Sequence, residues 1–414
     1  ESIEVSKTIS ADVDANAPAG TINLKTKRAF DRAGRRMSAQ ANLTAFSTRF
    51  NFEETYGPDD RLSRKIHPGG ILDYSDVFFN KRLGVNFNVS ESMAYSANAR
   101  TTTTYNYTPT PADPRPAVIT AINVLHAPRT NRRSTVNFTA DFKASQRLVL
   151  SLTLLYNYAD LNNPQPSLTF NTGARSTVIG TDPLINFTAT TAGSVGNNPA
   201  AIVKLGQTMT AVPKFEYRAG NFLLEGKFAG SNSISWYDPR GRRGSIRDAG
   251  GPTAAGVGFT AQRSSLKSVD WKIVQTGGPD IDNGASFTNP TITIDDGRYA
   301  MTDVYSGELI GSYRTAKILP IAWKGGVKRR FEVRDFRLDT ESLRYTLNGA
   351  PARGGYAAYK SPFDFDMGST NTDSRLRSIG GGTVWSPDLV RLGGFFRDNP
   401  NSFSQTITAP ISTT

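Results

Sequence analysis

The side chains that most often carry chemistry are scarce here: the 414 residues include two histidines and no cysteine. A three-histidine metal centre is therefore impossible. Thiol nucleophiles, disulfide scaffolds and Cys-ligated zinc or iron–sulfur sites are excluded with it. His67 and His126 fall in long polar stretches and read as exposed loop histidines rather than ligands. No G-x-S-x-G elbow is present. Gly220-Asn221-Phe222-Leu223-Leu224-Glu225-Gly226-Lys227 approaches a P-loop, but it has one spacer too many, and Phe228 stands where a hydroxyl should hold magnesium. Gly256-Val257-Gly258 and Gly380-Gly381-Gly382 lack the rest of a dinucleotide fingerprint. Asp280, Asp282 and Asn283 before Gly284, and Asp364 and Asp366 before Gly368, have calcium-like spacing without the closing Glu of an EF-hand, and read as solvated turns. The expectation is a protein that is not an enzyme, with no cofactor, metal or catalytic residue assigned and its ligand-binding residues unknown.

Charge points to a surface rather than to a reaction. Lys and Arg number 48 against 36 Asp and Glu, a net charge of +12. Arg240, Arg242, Arg243 and Arg247 cluster, as do Lys328, Arg329, Arg330 and Arg334. Both groups are expected at or beyond the long-loop ends of strands, where they would face anionic lipopolysaccharide and incoming ligands instead of nucleic acid.

The elements that must position these residues are strands. No apolar run reaches the ~18 residues of a membrane-crossing helix, whereas period-two alternation recurs, and a strand puts successive side chains on opposite faces. Met37, Ala39, Ala41, Leu43 and Ala45 alternate with Ser38, Gln40, Asn42 and Thr44. The same pattern runs through Leu83–Val89, Met93–Tyr107, Val136–Phe142, Leu148–Tyr158, Phe215–Tyr217, Phe222–Phe228, Tyr305–Tyr313 and Ile321–Val327. That gives about nine strands, matching the ~10-residue alternating segments of a transmembrane barrel. The turns expected near 90–92, 143–147, 219–220 and 315–319 are short. The stretches 48–78, 108–132, 159–209, 231–302 and 337 onward are long and rich in Gly, Pro, Asn and Thr. All the long loops thus fall at one end, as in outer-membrane barrels with short periplasmic turns and long extracellular loops. Tyr105, Tyr107, Tyr156 and Tyr158 are expected in an aromatic girdle at that end, with Tyr95, Phe142 and Phe222 near the short turns. The apolar faces should meet lipid, and Ser38, Gln40, Asn42, Asn86, Asn88, Asn98, Asn137 and Thr139 should point inward. In the hairpin Val212 to Ala229, cross-strand charge favours Lys214 opposite Glu225, around an Ala219-Gly220 loop.

A soluble antiparallel sheet with one buried face would alternate in the same way. Against it stands the absence of Lys, Arg, Asp and Glu from the apolar side of these segments.

Residues 3–27, IEVSKTISADVDANAPAGTINLKTK, followed by Arg28-Ala29-Phe30-Asp31-Arg32, resemble the junction of plug and barrel in TonB-dependent outer-membrane transporters. Ile3-Glu4-Val5, Lys7, Ala17-Pro18-Ala19-Gly20 and Thr21-Ile22-Asn23-Leu24-Lys25-Thr26-Lys27 occupy the places of that family's "IEV-K-G-P" and "GG-INL-TK" segments. Thr8-Ile9 replaces its Gly-Pro, and Ala19 replaces its first Gly. The resemblance implies residues 1–27 as the end of the plug, 28–36 as a connector and 37–414 as the N-terminal part of a transmembrane β-barrel of ~22 strands. The all-β fold expected is therefore a partial antiparallel barrel. The chain reads as a fragment, with most of the plug and the TonB box before it and roughly a dozen strands lying after Val333. The implied function is uptake of a scarce siderophore, cobalamin or glycan across the Gram-negative outer membrane, in contact with lipid, lipopolysaccharide and TonB. A passive porin and a soluble β-rich adhesin or carbohydrate-binding protein are the alternatives.

Overall fold

The computed structural model describes residues 2–6, 21–25, 30, 34–46, 52, 54–56, 62–96, 98–238, 252–268, 271–288, 291–293, 298–315, 321–337, 343–348 and 387–407. Its strands, β1 to β25 in chain order, are all paired antiparallel, and one α-helix accompanies them among the described residues. The fold is all-β.

Nine strands form the main sheet, a meander in which each strand lies beside the next in chain order: β3 (Arg36–Ala45), β6 (Ile66–Phe78), β7 (Leu83–Ser96), β10 (Arg129–Lys143), β11 (Leu148–Pro164), β16 (Ala201–Ala219), β17 (Phe222–Tyr237), β22 (Tyr299–Arg314) and β23 (Ala322–Arg337). Up-and-down order places all the short turns at one end and all the long connections at the other. β1 (Ser2–Ser6) and β2 (Thr21–Lys25) pair only with each other, Ile3 opposite Leu24 and Val5 opposite Ile22. Residues 21–25 thus pair with residues 2–6, as expected from the resemblance, and are separate from the sheet that begins at Arg36.

Two boundaries differ from the sequence reading. Ser90-Glu91-Ser92 is not a turn; β7 runs through it to Ser96, and Glu91 accepts hydrogen bonds from Arg132 and Ser134 of β10. The real turn is Phe79–Arg82, left-handed at Phe79, Asn80 and Lys81 (φ 52°, 53° and 64°), which leads back to β6. Pro68-Gly69-Gly70 resembles a loop but lies within β6, where Gly69 and Gly70 oppose Asn42 and Ala41. A Cβ on Gly69 would sit 2.9 Å from the Glu91 carbonyl oxygen, so glycine here permits close strand approach.

The hairpin β16–β17 also takes the other register. Glu216 faces Glu225 and Lys214 faces Lys227, around a Gly220-Asn221 loop in which Gly220 has φ 59°. The expected register would have put Ala219 in the first loop position, which primed hairpin turns require at positive φ. Left-handed backbone costs a non-glycine residue roughly 1–2 kcal/mol, more than the roughly 0.2–1 kcal/mol of one cross-strand charge pair. The turn therefore wins. Neighbours then relieve the like charges: Arg218 bonds Glu216 at 3.0 Å, and Lys227 faces Glu308 of β22. Replacing Glu225 by Lys should raise stability by roughly 0.2–1 kcal/mol, read as a higher denaturant midpoint at unchanged slope. A lower midpoint would show that Glu225 is already compensated.

Three long connections are not loops. They hold β8 (Ala99–Asn106) and β9 (Val118–His126); β12 (Ser167–Asn171), β13 (Val178–Asp182), β14 (Asn186–Ala189) and β15 (Ser194–Asn197); and β18 (Thr253–Ala255), β19 (Gly258–Gln262), β20 (Lys272–Gly277) and β21 (Thr291–Thr293). Strands from different connections pair with one another, giving sheets ordered β18-β15-β12-β9-β8 and β13-β14-β19-β20. Across one shared core, Phe170 meets Phe259 at 5.5 Å and Phe187 meets Trp271 at 5.9 Å, both edge to face. The largest fully buried side chains, including Trp271, Phe170, Phe187, Phe259 and Phe287, all belong to this sandwich. Tyr105 packs against it and stacks on Tyr107, so neither ring lies in the main sheet.

A small sheet of β21, β24 (Leu343–Leu347) and β25 (Phe403–Ile407) lies beside helix α1 (Leu389–Asp398), whose first amides Val390 and Arg391 bond the Asp388 side chain. Leu389 and Leu392 enter the sandwich core. The remaining pair is β4 (Glu54–Tyr56) with β5 (Leu62–Arg64).

Candidate functional site

The two faces of the nine-stranded sheet differ in kind. One face carries Met37, Leu43, Phe142, Leu150, Leu152, Leu154, Met209, Phe228, Tyr305, Leu309, Trp323 and Phe331, each more than a third exposed. An exposed apolar face of this extent marks a surface that meets a membrane or a partner. A furrow of about 530 Å³ opens in it, walled by Phe138, Leu154, Tyr156, Met209 and Tyr305 over a floor of Ala211 and Gly230.

The apolar band runs obliquely to the hydrogen-bonded rows. Partners followed from Met37, the first apolar residue of the band on β3, lead through Tyr74, Phe87, Phe138, Leu154 and Ala211 to Gly230. On β17 that row lies beyond Phe222, Leu224, Gly226 and Phe228, so the band there starts several residues earlier. At the other edge polar residues replace it: Glu91 on β7, Asp160 on β11, Gln207 on β16, Asn232 on β17 and Asp303 on β22. At the short-turn edge, through Met37, Tyr74, Leu83, Phe142, Leu148, Tyr217, Phe222 and Tyr313, the stagger has one sense from β3 to β22, whereas the long-connection edge steps outward to Asp160 before receding. Arg329, opposite Gly307 and between Val327 and Phe331, is an exception on this face.

Glycines on the same face seat the aromatic rings. Phe215 lies directly opposite Gly226, Phe228 opposite Gly307 and Tyr305 opposite Gly230. A Cβ on Gly226 would fall 2.0 Å from the Phe215 ring, whereas at Gly307 the Phe228 ring is 3.4 Å away. Gly226→Ala should therefore expel the Phe215 ring and cost roughly 1–3 kcal/mol as an overpacking change, and Gly307→Ala should cost less. Chemical denaturation of both variants checks the order; equal midpoints would mean the ring is not held there.

The opposite face is polar in three zones. Near the short turns it carries mixed charge: Asp141, Ser151, Lys214, Lys227, Glu308 and Lys328 lie in one row of partners, with Lys143, Glu216 and Glu225 in the next. Above this lies a zone of hydroxyls and amides that is uncharged from β7 to β22, with Asp73 on β6 and Arg330 and Glu332 on β23 flanking it. Asn88 donates to Asp73 at 2.6 Å, Thr135 to Asn157 at 2.8 Å, and Thr208–Ser233 and Thr210–Ser231 bond at 3.0 and 2.9 Å. Ser38, Asn86, Asn137 and Thr139 share this face, as the alternation predicts. Asn98 does not, because it lies between β7 and β8 outside the sheet. The third zone is basic and lies toward the long connections.

The sandwich is braced by one ionic cluster. Asp113 accepts from Arg115 Nε and Nη2 at 2.7 and 2.6 Å, and Arg175 Nε approaches it at 3.4 Å. Arg115 also donates to the Val178 carbonyl and Arg175 to the Asn106 carbonyl, both at 2.8 Å, tying two connections together. Hydrogen bonding from Arg115 holds the Asp113 carboxyl down to about 2 and raises the Arg115 guanidinium in turn. A depressed carboxyl stabilises the fold above its ordinary range near 4 and stops doing so as pH falls toward about 2. Protease resistance of the sandwich should accordingly fall across that window. Asp113→Asn should loosen it at neutral pH and flatten the acid transition, and an unchanged transition would assign it to other carboxylates.

Several residues singled out by the sequence lie elsewhere than expected. His67 is in β6 and His126 ends β9, so neither is a loop residue; no group of three metal-ligating side chains occurs among the described residues. Asp280 and Asn283 accept from the amides of Asp282 and Ala285, the turn role expected of them. Gly220–Lys227 spans the hairpin turn, as expected. Lys328, Arg330 and Arg334 lie within β23 rather than beyond its end, and Arg334 bonds Glu332 at 2.6 Å. Tyr95 is 4% exposed at the long-connection end of β7, away from the short turns. Arg240–Arg247, Asp364, Asp366 and Gly380–Gly382 lie outside the described residues. Comparison with protein-family models, curated proteins and solved structures returned no match.

Proposed function

We propose that the nine-stranded sheet is part of the wall of a transmembrane β-barrel in the Gram-negative outer membrane, and that the protein belongs to a TonB-dependent transporter taking up a scarce ligand. The observation that carries this reading is the oblique apolar band. Barrel strands tilt by about 35–45° from the axis, so a band of constant height must step across the hydrogen-bonded rows. A sheet packed on a soluble core has no such requirement, and it would bury Leu150, Leu152 and Leu154, which are 42%, 37% and 41% exposed. Aligned short turns and elaborated connections at the other end agree with barrel topology. β23, exposed almost throughout and paired on one side only among the described residues, is an edge that further strands would cover. Support for the TonB-dependent class comes from residues 3–27, whose β1–β2 pair stands apart from the sheet.

The test uses the full-length protein in its host. Outer-membrane fractionation, heat-modifiable migration in detergent and solute uptake abolished by a protonophore are expected together. A detergent-independent soluble protein would overturn the wall, and leakage without an energised inner membrane would favour a passive porin.

A further inference from the structure

We propose that the long-connection end of the polar face is a binding vestibule for an anionic ligand, recognised through phosphate or carboxylate groups. The proposal rests on the reading of this face as the lumen and specifies the substrate class. Alternation places Arg129 and Arg133 of β10, Lys204 of β16 and Arg298 before β22 on the side that carries Asn137 and Thr139. Lys204 lies opposite Tyr237, and the ring has Arg298 4.0 Å and Lys204 5.7 Å from its centre, so three elements converge there. From Thr135, Asn157 and Thr208 up to the long connections, no Asp or Glu shares this face in the described part of the sheet. Arg129, Arg133 and Lys204 have no carboxylate partner among the described residues, and Arg129 Nε is buried without an acceptor.

That contrasts with the short-turn end of the same face, where Lys143, Lys214, Lys227 and Lys328 are interspersed with Asp141, Glu216, Glu225 and Glu308. The net charge of the protein alone does not predict such a separation. Uncompensated cations between low-dielectric walls concentrate anions and speed their entry. The hydroxyl and amide zone beyond, uncharged from β7 to β22, lets a ligand move on along those strands without being held by a second charged site. Arginine suits both candidate groups, because its planar donors match carboxylate and phosphate in pairs.

The test uses the full-length protein folded in detergent, with binding followed calorimetrically at low salt. Triphosphate and citrate are the two anionic probes and maltotriose the neutral one. Triphosphate, citrate or both should bind, with maltotriose undetected, and the preferred anion identifies the recognised group. Arg133→Gln combined with Lys204→Gln, both exposed positions, should weaken that binding at least tenfold and reduce its salt dependence. Lys143→Gln combined with Lys227→Gln, removing two charges from the same face near the short turns, should leave it unchanged. Equal loss in both double variants would mean only nonspecific attraction to a basic protein, and maltotriose binding as well as the anions would exclude charge recognition; either overturns the vestibule. Heat-modifiable migration of the same samples keeps the two readings apart: its loss overturns the wall, whereas a folded protein without anion preference overturns the vestibule alone.

Discussion

Trp271→Ala should unfold the sandwich while leaving the nine-stranded sheet intact. The indole is 1% exposed, meets Phe187 edge to face at 5.9 Å, lies under the Arg263 guanidinium at 4.5 Å and donates to Thr103 Oγ1 at 3.3 Å. Truncating a buried Trp to Ala costs roughly 3–5 kcal/mol, from lost transfer energy and the cavity left behind. The loss falls on a core built from short strands, most of them three to six residues long, where few hydrogen bonds per strand can hold the fold without its side chains. Arg263 and Thr103 would also lose their indole partner. Limited proteolysis with fragment mapping reads the result: early cuts within 98–128, 165–200 and 252–293, with the main strands protected. Simultaneous loss of both regions would show that sandwich and sheet unfold as one cooperative unit.

The second large effect concerns the apolar face. Leu152 lies near the middle of the apolar run Leu148–Tyr158 of β11, with Ala140 and Pro213 as its row partners. If this face meets lipid, Leu152→Arg places a cation near the bilayer midplane, at a cost of about 2–4 kcal/mol. That lowers the folded-to-unfolded ratio roughly 30- to 700-fold. Thr153→Arg, one residue on and facing the other way, loses only the contact with Thr139 at 3.4 Å and should fold with a much smaller penalty. Folding of the full-length protein into phosphatidylcholine vesicles, followed by heat-modifiable migration, measures both. Equal yields would mean that Leu152 does not face lipid.

The two tests divide the molecule as its sequence does. Long alternating segments were legible because every second residue carries the same information, so a few ambiguous positions do not change the face. The pairing of Ile3–Val5 with Ile22–Leu24 was legible through the resemblance of their motif. β6 was not, because Pro68-Gly69-Gly70 has the composition of a loop, and its glycines serve strand approach instead. The turn at Phe79–Arg82 was hidden for the opposite reason: it contains neither Gly nor Pro. Ser90-Glu91-Ser92 misled because a charged residue on an apolar face looks like a break, until Arg132 and Ser134 are found across the ladder. Arg129, Arg133 and Lys204 were missed as a group. They lie on different strands with long insertions between them, and only the register puts them on one face.

By itself the sequence determined that the protein is all-β, which residues of the long strands share a face, and that short turns alternate with long connections. These are properties of period two and of local composition, and they hold whatever the neighbours are. Tertiary structure alone decided which strands pair, the Glu216–Glu225 register and the existence of the sandwich. A hairpin register depends on whether Ala219 or Gly220 must take positive φ, a backbone cost larger than the charge pairing visible in the sequence. The sandwich core draws residues as far apart as Ile119, Phe187 and Phe259 from three separate connections. No one connection has enough apolar surface to announce a core, and the hydrophobic gain appears only when all three are brought together.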